Sequence, residues 1–291
     1  MKYISAQPAT QYYGWQVETY LNNFQLMGVP MDDVIVILAG NHPYFDKIKR
    51  MYPMVEFFHA RDTRADKSYP PSIQGHIMHK YWKSNPSIEK CHIFFNDCDI
   101  VFTKPFDFQP VGNHMSDTSS YMGVKYIDSK GPDVLNKMAF LVGIDPDIIR
   151  RNDENVGGAH KILRNIGADY WRDVEESSTK LYNGMLNSGT DLQIWTASMW
   201  SELWELWKRE ESVIVEKSLD FCWATCSIYK WSEVGIMHNA GVVNNNSGMF
   251  MKSDYIDKLP YNDVLSLDKN RCSYGYYSWV KMAGLKNRNF V

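Results

Sequence analysis

Short apolar runs and helical-period stretches alternate along the amino-terminal third of this chain. Lys2 to Ala6 reads as a short strand, ended by Gln7 and Pro8. Tyr12 to Met27 places Val17, Leu21, Phe24 and Met27 on one side of a helix, and Gly28 stops it. Val34 to Ala39 is the clearest buried strand, closed by Gly40 and Asn41. Pro43 to Met51 then predicts a short helix and Val55 to Phe58 a third strand. This β-α-β-α-β order predicts an α/β fold with a Rossmann-like, mostly parallel central sheet flanked by helices. Right-handed crossovers would bring the strand ends to one edge.

Arg61 to Tyr69 is a polar loop, and Pro70 and Pro71 open a helix running to about Ser84. Ile73, Ile77 and Tyr81 share one face of it; His76, His79, Lys80 and Lys83 lie on the other. The next apolar run, Ile93-Phe94-Phe95, ends abruptly in two carboxylates, Asp97 and Asp99, with Cys98 between them. Further on, Tyr121 to Ile127 reads as a strand and Val134 to Val142 as either helix or strand. Asn155 to His160, with its adjacent glycines Gly157 and Gly158, reads either as a loop where backbone can approach a ligand closely or as a structural turn that uses positive φ. Ala168 to Met185 is helical. Gln193 to Lys208 is a strongly apolar helix whose tryptophans are mostly core, and Glu202 lies inside it. Ile214 to Glu216 is a short strand. Val234 to Val242 runs into Asn244, Asn245 and Asn246, a loop signature, and delivers His238 at a second strand end. From Lys252 onward the chain is at its most basic and aromatic.

Composition narrows the class. A chain of 291 residues, 44% hydrophobic and 14% aromatic, can bury one large α/β core or two small ones. The net charge of -3 argues against bulk electrostatic coating of nucleic acid, though it allows a local basic groove. Five cysteines form no paired framework, which fits a reducing compartment, and no stretch has the length and apolarity of a membrane span. The amino terminus shows no apolar signal segment, so the expected location is cytoplasmic.

The chemistry concentrates at Asp97 and Asp99. Two carboxylates one residue apart, at the carboxyl end of a buried strand, can hold one hard divalent cation whose remaining positions take phosphate oxygens. An ordinary strand-end turn would also use aspartate. The order of motifs decides between these readings. An α/β half, the Asp97-Cys98-Asp99 strand end, a Gly-Gly segment, the Thr190-Asp191-Leu192-Gln193 segment and a late His238 together resemble the GT-A fold of nucleotide-sugar glycosyltransferases. More narrowly, Gly157 to His160, Asp191 to Glu202 and His238 to Gly241 look like plant and algal peptidyl serine and hydroxyproline glycosyltransferases. Lys2 to Pro8, Trp15 to Glu18 and Asn22 to Phe24 look like glycosyltransferases of large tailed phages, which decorate hydroxymethylated DNA pyrimidines with glucose or arabinose. The missing signal segment favours the phage-like reading.

The resemblance implies a Mn²⁺ or Mg²⁺ ion on Asp97, Asp99 and His238, with a UDP-sugar as co-substrate. It implies a domain over residues 1–251, with a nucleotide-binding half at 1–102 and an acceptor half at 103–251, and a packed extension at 252–291. Gln7, Tyr12 and Trp15 are candidates for the nucleoside pocket by hydrogen bonding and stacking; Arg61, Lys80, Gly157, Gly158 and Lys252 for the phosphates and sugar. Asp191, Gln193 and Glu202 are the candidate catalytic groups. The expected reaction moves a sugar onto 5-hydroxymethylcytosine in phage DNA, acting in the host cytoplasm, either with retention or, with Asp191 or Glu202 as the side-chain base, with inversion. A peptide hydroxyl, a glycan, or non-catalytic binding of a nucleotide-sugar stand as alternatives, and a nucleotidyltransferase is a rival that lacks its early glycine-rich loop here.

Overall fold

The computed structural model describes residues 1–243 and 248–290, so the asparagine run Asn244 to Asn246 lies outside the described residues. Its strands are β1 (Lys2–Pro8), β2 (Val34–Ala39), β3 (Glu56–Ala60), β4 (Ile93–Phe95), β5 (Ile100–Phe102), β6 (Asn113–Asp117), β7 (Gly157–Leu163), β8 (Val213–Val215), β9 (Phe221–Trp223) and β10 (Ile236–His238). The helices are α1 (Gln11–Leu26), α2 (Pro43–Met51), α3 (Ile73–Ser84), α4 (Ser119–Met122), α5 (Val124–Asp128), α6 (Val134–Val142), α7 (Pro146–Arg151), α8 (Ala168–Met185), α9 (Ala197–Lys208), α10 (Tyr229–Glu233) and α11 (Cys272–Asn289). The α/β class read from the sequence holds, with a seven-stranded main sheet and a three-stranded second sheet.

Two compact units divide the chain. One comprises Met1–Lys2, Ala60–Phe95 and Pro110–Lys217; the other comprises Tyr3–His59, Asn96–Gln109 and Ser218–Val291. The first contributes β4-β7-β6-β8 to the main sheet. Within it β6 and β8 are parallel, and β7 runs antiparallel to both β4 and β6. The second contributes β3-β2-β1, with β1 and β2 parallel from Tyr3↔Val34 to Pro8↔Ala39, and it holds the second sheet, β5-β10-β9. No helix among the described residues is long and apolar enough to cross a membrane.

Two sequence readings change. Tyr121 to Ile127 is not a strand: it forms α4 and α5, because Asp117 and Asp153 accept the otherwise free N–H groups of Ser119 (2.8 Å) and Val124 (2.7 Å) at the two helix starts. Gly157 and Gly158 are not in a loop either. They open β7, next to a bulge where the β6 register shifts and Ala159 takes a left-handed φ of 53°. A Cβ at Gly157 would lie 2.4 Å from Met115 Cβ, and one at Gly158 would lie 2.6 Å from Met199 Cε. Close strand and helix approach therefore accounts for both glycines.

In the second unit, α1 and α11 pack together over a cluster containing Trp15, Phe250, Tyr255, Tyr261 and Tyr276. Glu18 is buried in this region. One of its carboxylate oxygens accepts from Tyr44 Oη (2.5 Å), Tyr261 Oη (2.6 Å) and Asn287 Nδ2 (2.9 Å), which ties α1 to α2 and α11. Burial pushes its carboxyl above the ordinary glutamate value, and these three donors only partly oppose that shift.

Two outcomes follow. Gly157→Ala should lower stability by about 1–3 kcal/mol in chemical denaturation, since the methyl has nowhere to go. For Glu18, a raised folded-state pKa favours folding below the unfolded value of 4.5, and that contribution is lost as pH rises through the folded value. Glu18→Gln should therefore gain stability relative to the parent as pH rises above 4.5 and then level off. Paired denaturation curves from pH 4 to 8 check the sign, and a pH-independent difference would contradict it.

Candidate metal centre

The centre is built in the second unit by two strand ends and one loop. After β4 the chain turns through Asn96 and Asp97 into Cys98, Asp99 and β5. Asn23 of α1 clamps that strand as a neighbouring strand would: its Nδ2 donates to Phe102 O (3.0 Å) and its Oδ1 accepts from Phe102 N–H (2.7 Å). On the other side β10 pairs antiparallel with β5, placing His238 opposite Ile100, while Asn239 N–H donates to Asp99 O (2.9 Å). Backbone pairing thus fixes the imidazole beside the carboxylates, although His238 is remote from them in sequence.

Asp97, Asp99 and His238 each offer a ligand atom, and these atoms all lie within 4.8 Å of one another. His238 Nε2 is 3.2 Å from Asp99 Oδ1 and 3.7 Å from Asp97 Oδ2. Asp99 is buried, whereas the Asp97 side chain is 49% exposed, so the cluster opens to solvent on one side. Lys252 contacts the second oxygen of Asp99. Burial alone would raise the Asp99 carboxyl; Lys252 and then His238 outweigh it and hold that group well below the usual carboxylate range. Reciprocally, burial would lower Lys252, but Asp99, then Tyr12, keep its ammonium well above the ordinary lysine value. Asp99 is therefore ionised at neutral pH. Two carboxylates and one imidazole nitrogen, open on one side, match the donor preferences of Mn²⁺, and the oxygen donors suit Mg²⁺.

The other sequence candidates fall into distinct surroundings. Gln7, at the carboxyl end of β1, is 3% exposed, and neither atom of its amide has a hydrogen-bond partner among the described residues. Tyr12 is half-buried in the field of Asp99 and Lys252. Trp15 is fully buried, with its indole N–H donating to Tyr255 O (3.1 Å), so its ring is core and not a stacking surface. In the first unit Arg61 is exposed and its carbonyl accepts from Lys80 Nζ (2.7 Å), which also donates to Thr63 Oγ1. Lys80 is thus committed to its own loop. Asp191 is exposed and paired with Lys130 (2.9 Å), which holds its carboxyl low. Gln193 is exposed, and its backbone N–H donates to Tyr126 Oη (3.0 Å). Glu202 is buried against Lys161, whose ammonium also lies 4.7 Å from the centre of the Phe95 ring. Gly157 and Gly158 are within β7.

Sequence reasoning passed over Asn239. Its side chain is 2% exposed, and both amide atoms lack a partner among the described residues, directly after a metal-ligand candidate. A polar residue immediately following a strand-end histidine was the available signal. Buried amides of this kind cost roughly 1–3 kcal/mol per unmade bond, so Gln7 and Asn239 both mark places where a polar ligand or water is expected.

Fold and site define an α/β protein with a strand-end Asp-x-Asp/His cluster that is a candidate cation centre. No protein-family model and no curated protein matches the chain. Among solved structures it is similar to the bifunctional glycosyltransferase WbbM, at 11% identity and TM-score 0.47, over 98% of this chain and 51% of that one. It is also similar to the galactosyltransferase LgtC, solved with donor and acceptor sugar analogs, at 10% identity and TM-score 0.48, over 98% and 96%. The glycosyltransferase GlyE of Streptococcus pneumoniae is similar at 11% identity and TM-score 0.49, over 99% and 62%. The chain spans about half the length of WbbM.

The centre makes a direct prediction. Asp99→Asn and His238→Ala should each weaken Mn²⁺ binding by at least about 100-fold, because changes outside the ligand shell alone cost about 10–100-fold. Electron paramagnetic resonance of free Mn²⁺, with circular dichroism as a folding control, reads the result; unchanged affinity would remove these residues from the site.

Proposed function

We propose that this chain is a metal-dependent glycosyltransferase that moves a sugar from a UDP-sugar to a hydroxyl acceptor, with retention of configuration. The observation that carries the proposal is the convergence of Asp97, Asp99, His238 and Lys252 at the strand ends of one compact unit. When bound there, Mn²⁺ or Mg²⁺ supplies Lewis-acid stabilisation of a leaving diphosphate. Lys252, kept protonated by Asp99, adds a positive charge for phosphate oxygens. Gln7 and Asn239 offer buried carboxamides, each with a donor and an acceptor, which is the hydrogen-bonding chemistry a uracil edge or a ribose requires. In this reading residues 1–102 serve mainly the nucleotide, 103–251 the acceptor, and 252–291 support the nucleotide side through Lys252.

Retention is favoured by what the candidate bases lack. An inverting transfer needs a side chain that takes the acceptor's proton near neutral pH. Asp191 is a weaker base than usual because Lys130 holds its carboxyl low, and Glu202 is consumed in a buried ion pair. In a retaining transfer the departing diphosphate oxygen takes that proton, so no side-chain base is needed. For the acceptor, the resemblance in sequence points to 5-hydroxymethylcytosine in DNA, with a peptide hydroxyl or a glycan as the alternatives that the acceptor panel separates.

The test is UDP release from a panel of UDP-sugars with Mn²⁺, with hydroxymethylcytosine DNA, peptides and oligosaccharides as acceptors. UDP release that Asp99→Asn reduces by more than about 100-fold is expected. Pyrophosphate release would instead mean nucleotidyl transfer, and binding of UDP without turnover would mean a binding protein. Proton NMR of the first-formed product anomer reads the stereochemistry, and an inverted product would overturn retention.

A further inference from the structure

We infer that Trp195 is a stacking platform for a sugar ring, so that this protein recognises a carbohydrate through its first compact unit. Five of its tryptophans, Trp15, Trp82, Trp171, Trp200 and Trp204, are fully buried, as expected for side chains of that size. Trp195 departs from them: it is 56% exposed, in the turn Ile194–Thr196 that leads into α9.

That exposure is imposed by a rigid support. Tyr69 Oη donates to Trp195 O (2.6 Å) and accepts from Ser198 N–H (3.0 Å), which fixes the turn on both sides of the indole. The Tyr69 ring meets the indole edge-on at 6.0 Å and stacks against Tyr182 at 4.7 Å, so two further rings back the exposed group. An aromatic surface held still before the ligand arrives loses little entropy on binding.

The surroundings select the ligand class. Asp191 and Gln193, just ahead in the same segment, are both exposed, with Asp191 anchored by Lys130 and Gln193 by Tyr126. A flat apolar face beside an exposed carboxylate and an exposed amide matches a sugar ring, which has an apolar C–H face and hydroxyl edges that donate and accept. Asp66 is exposed as well and accepts from Asn183 Nδ2 (3.0 Å), the residue after Tyr182 in α8. A nucleic-acid strand would meet acidic groups here, whereas a neutral glycan meets hydrogen-bonding partners. On the transferase reading this sugar belongs to the acceptor, which places a glycan ahead of a DNA base; the binding itself does not depend on that reading.

The experiment uses the full chain labelled with 5-fluorotryptophan, with the Trp195 signal assigned by Trp195→Phe, and without metal or donor. Fluorine NMR titrations compare methyl glycosides and neutral disaccharides with single-stranded DNA and a proline-rich peptide. Saturable movement of the Trp195 signal by a sugar is expected, with Trp195→Ala weakening that affinity about tenfold and leaving Mn²⁺ binding unchanged. Absence of movement with every sugar, or stronger movement with DNA or peptide, would overturn the inference. Sugar binding without UDP release in the separate turnover assay would sink the transferase reading and leave this site standing; UDP release without sugar binding at Trp195 would do the reverse.

Discussion

Asp99 is a buried anion, and the second unit is arranged around keeping it one. A carboxylate removed from water reverts to its neutral form unless opposite charge or donors hold it ionised. Here Lys252 and His238 supply that hold, the first from a segment 153 positions further along the chain and the second from an adjacent strand. The clamp of Asn23 on Phe102, the antiparallel pairing of β5 with β10 and the Asn239 to Asp99 hydrogen bond all serve to fix where those charges meet. Were β10 to slip by one residue, the imidazole would turn to the opposite face and the centre would lose its nitrogen ligand.

The same unit shows how a polar interior is tolerated. Glu18 is buried with three donors and a raised carboxyl pKa, and it joins three helices. Asp99 is buried beside the Lys252 ammonium and the His238 imidazole, and its carboxyl pKa is lowered. The difference is the partner: neutral hydroxyls and an amide leave burial to raise the Glu18 carboxyl, whereas the Lys252 ammonium favours the Asp99 anion. The first arrangement suits a structural joint, and the second suits a candidate cation centre.

In the first unit a comparable contrast separates Glu202 from Asp191. Glu202 has its charge neutralised by Lys161 inside the unit, and Asp191 keeps its charge at the surface. Sequence proximity had grouped them as candidates for one task. Burial divides them into a core ion pair and a group available to a ligand, and it does the same for the tryptophans of α9 and the turn before it.

The sequence by itself determined several of the elements and singled out the candidate metal-ligand set. Strands β2 and β4 and helices α2 and α8 lie where apolar period and terminators put them, since these signals are local and act over a few residues. Asp97, Asp99 and His238 were legible because each ends a short apolar run. Tertiary structure alone decided that Lys252 meets Asp99, that Trp15 is core while Trp195 is exposed, and that Gly157 and Gly158 pack inside a strand. It also turned Tyr121 to Ile127 into helices by supplying Asp153 as a cap. Charge compensation, close backbone approach and burial are properties of groups brought together from far apart in the chain, and a one-dimensional pattern carries no record of which distant residue becomes a neighbour.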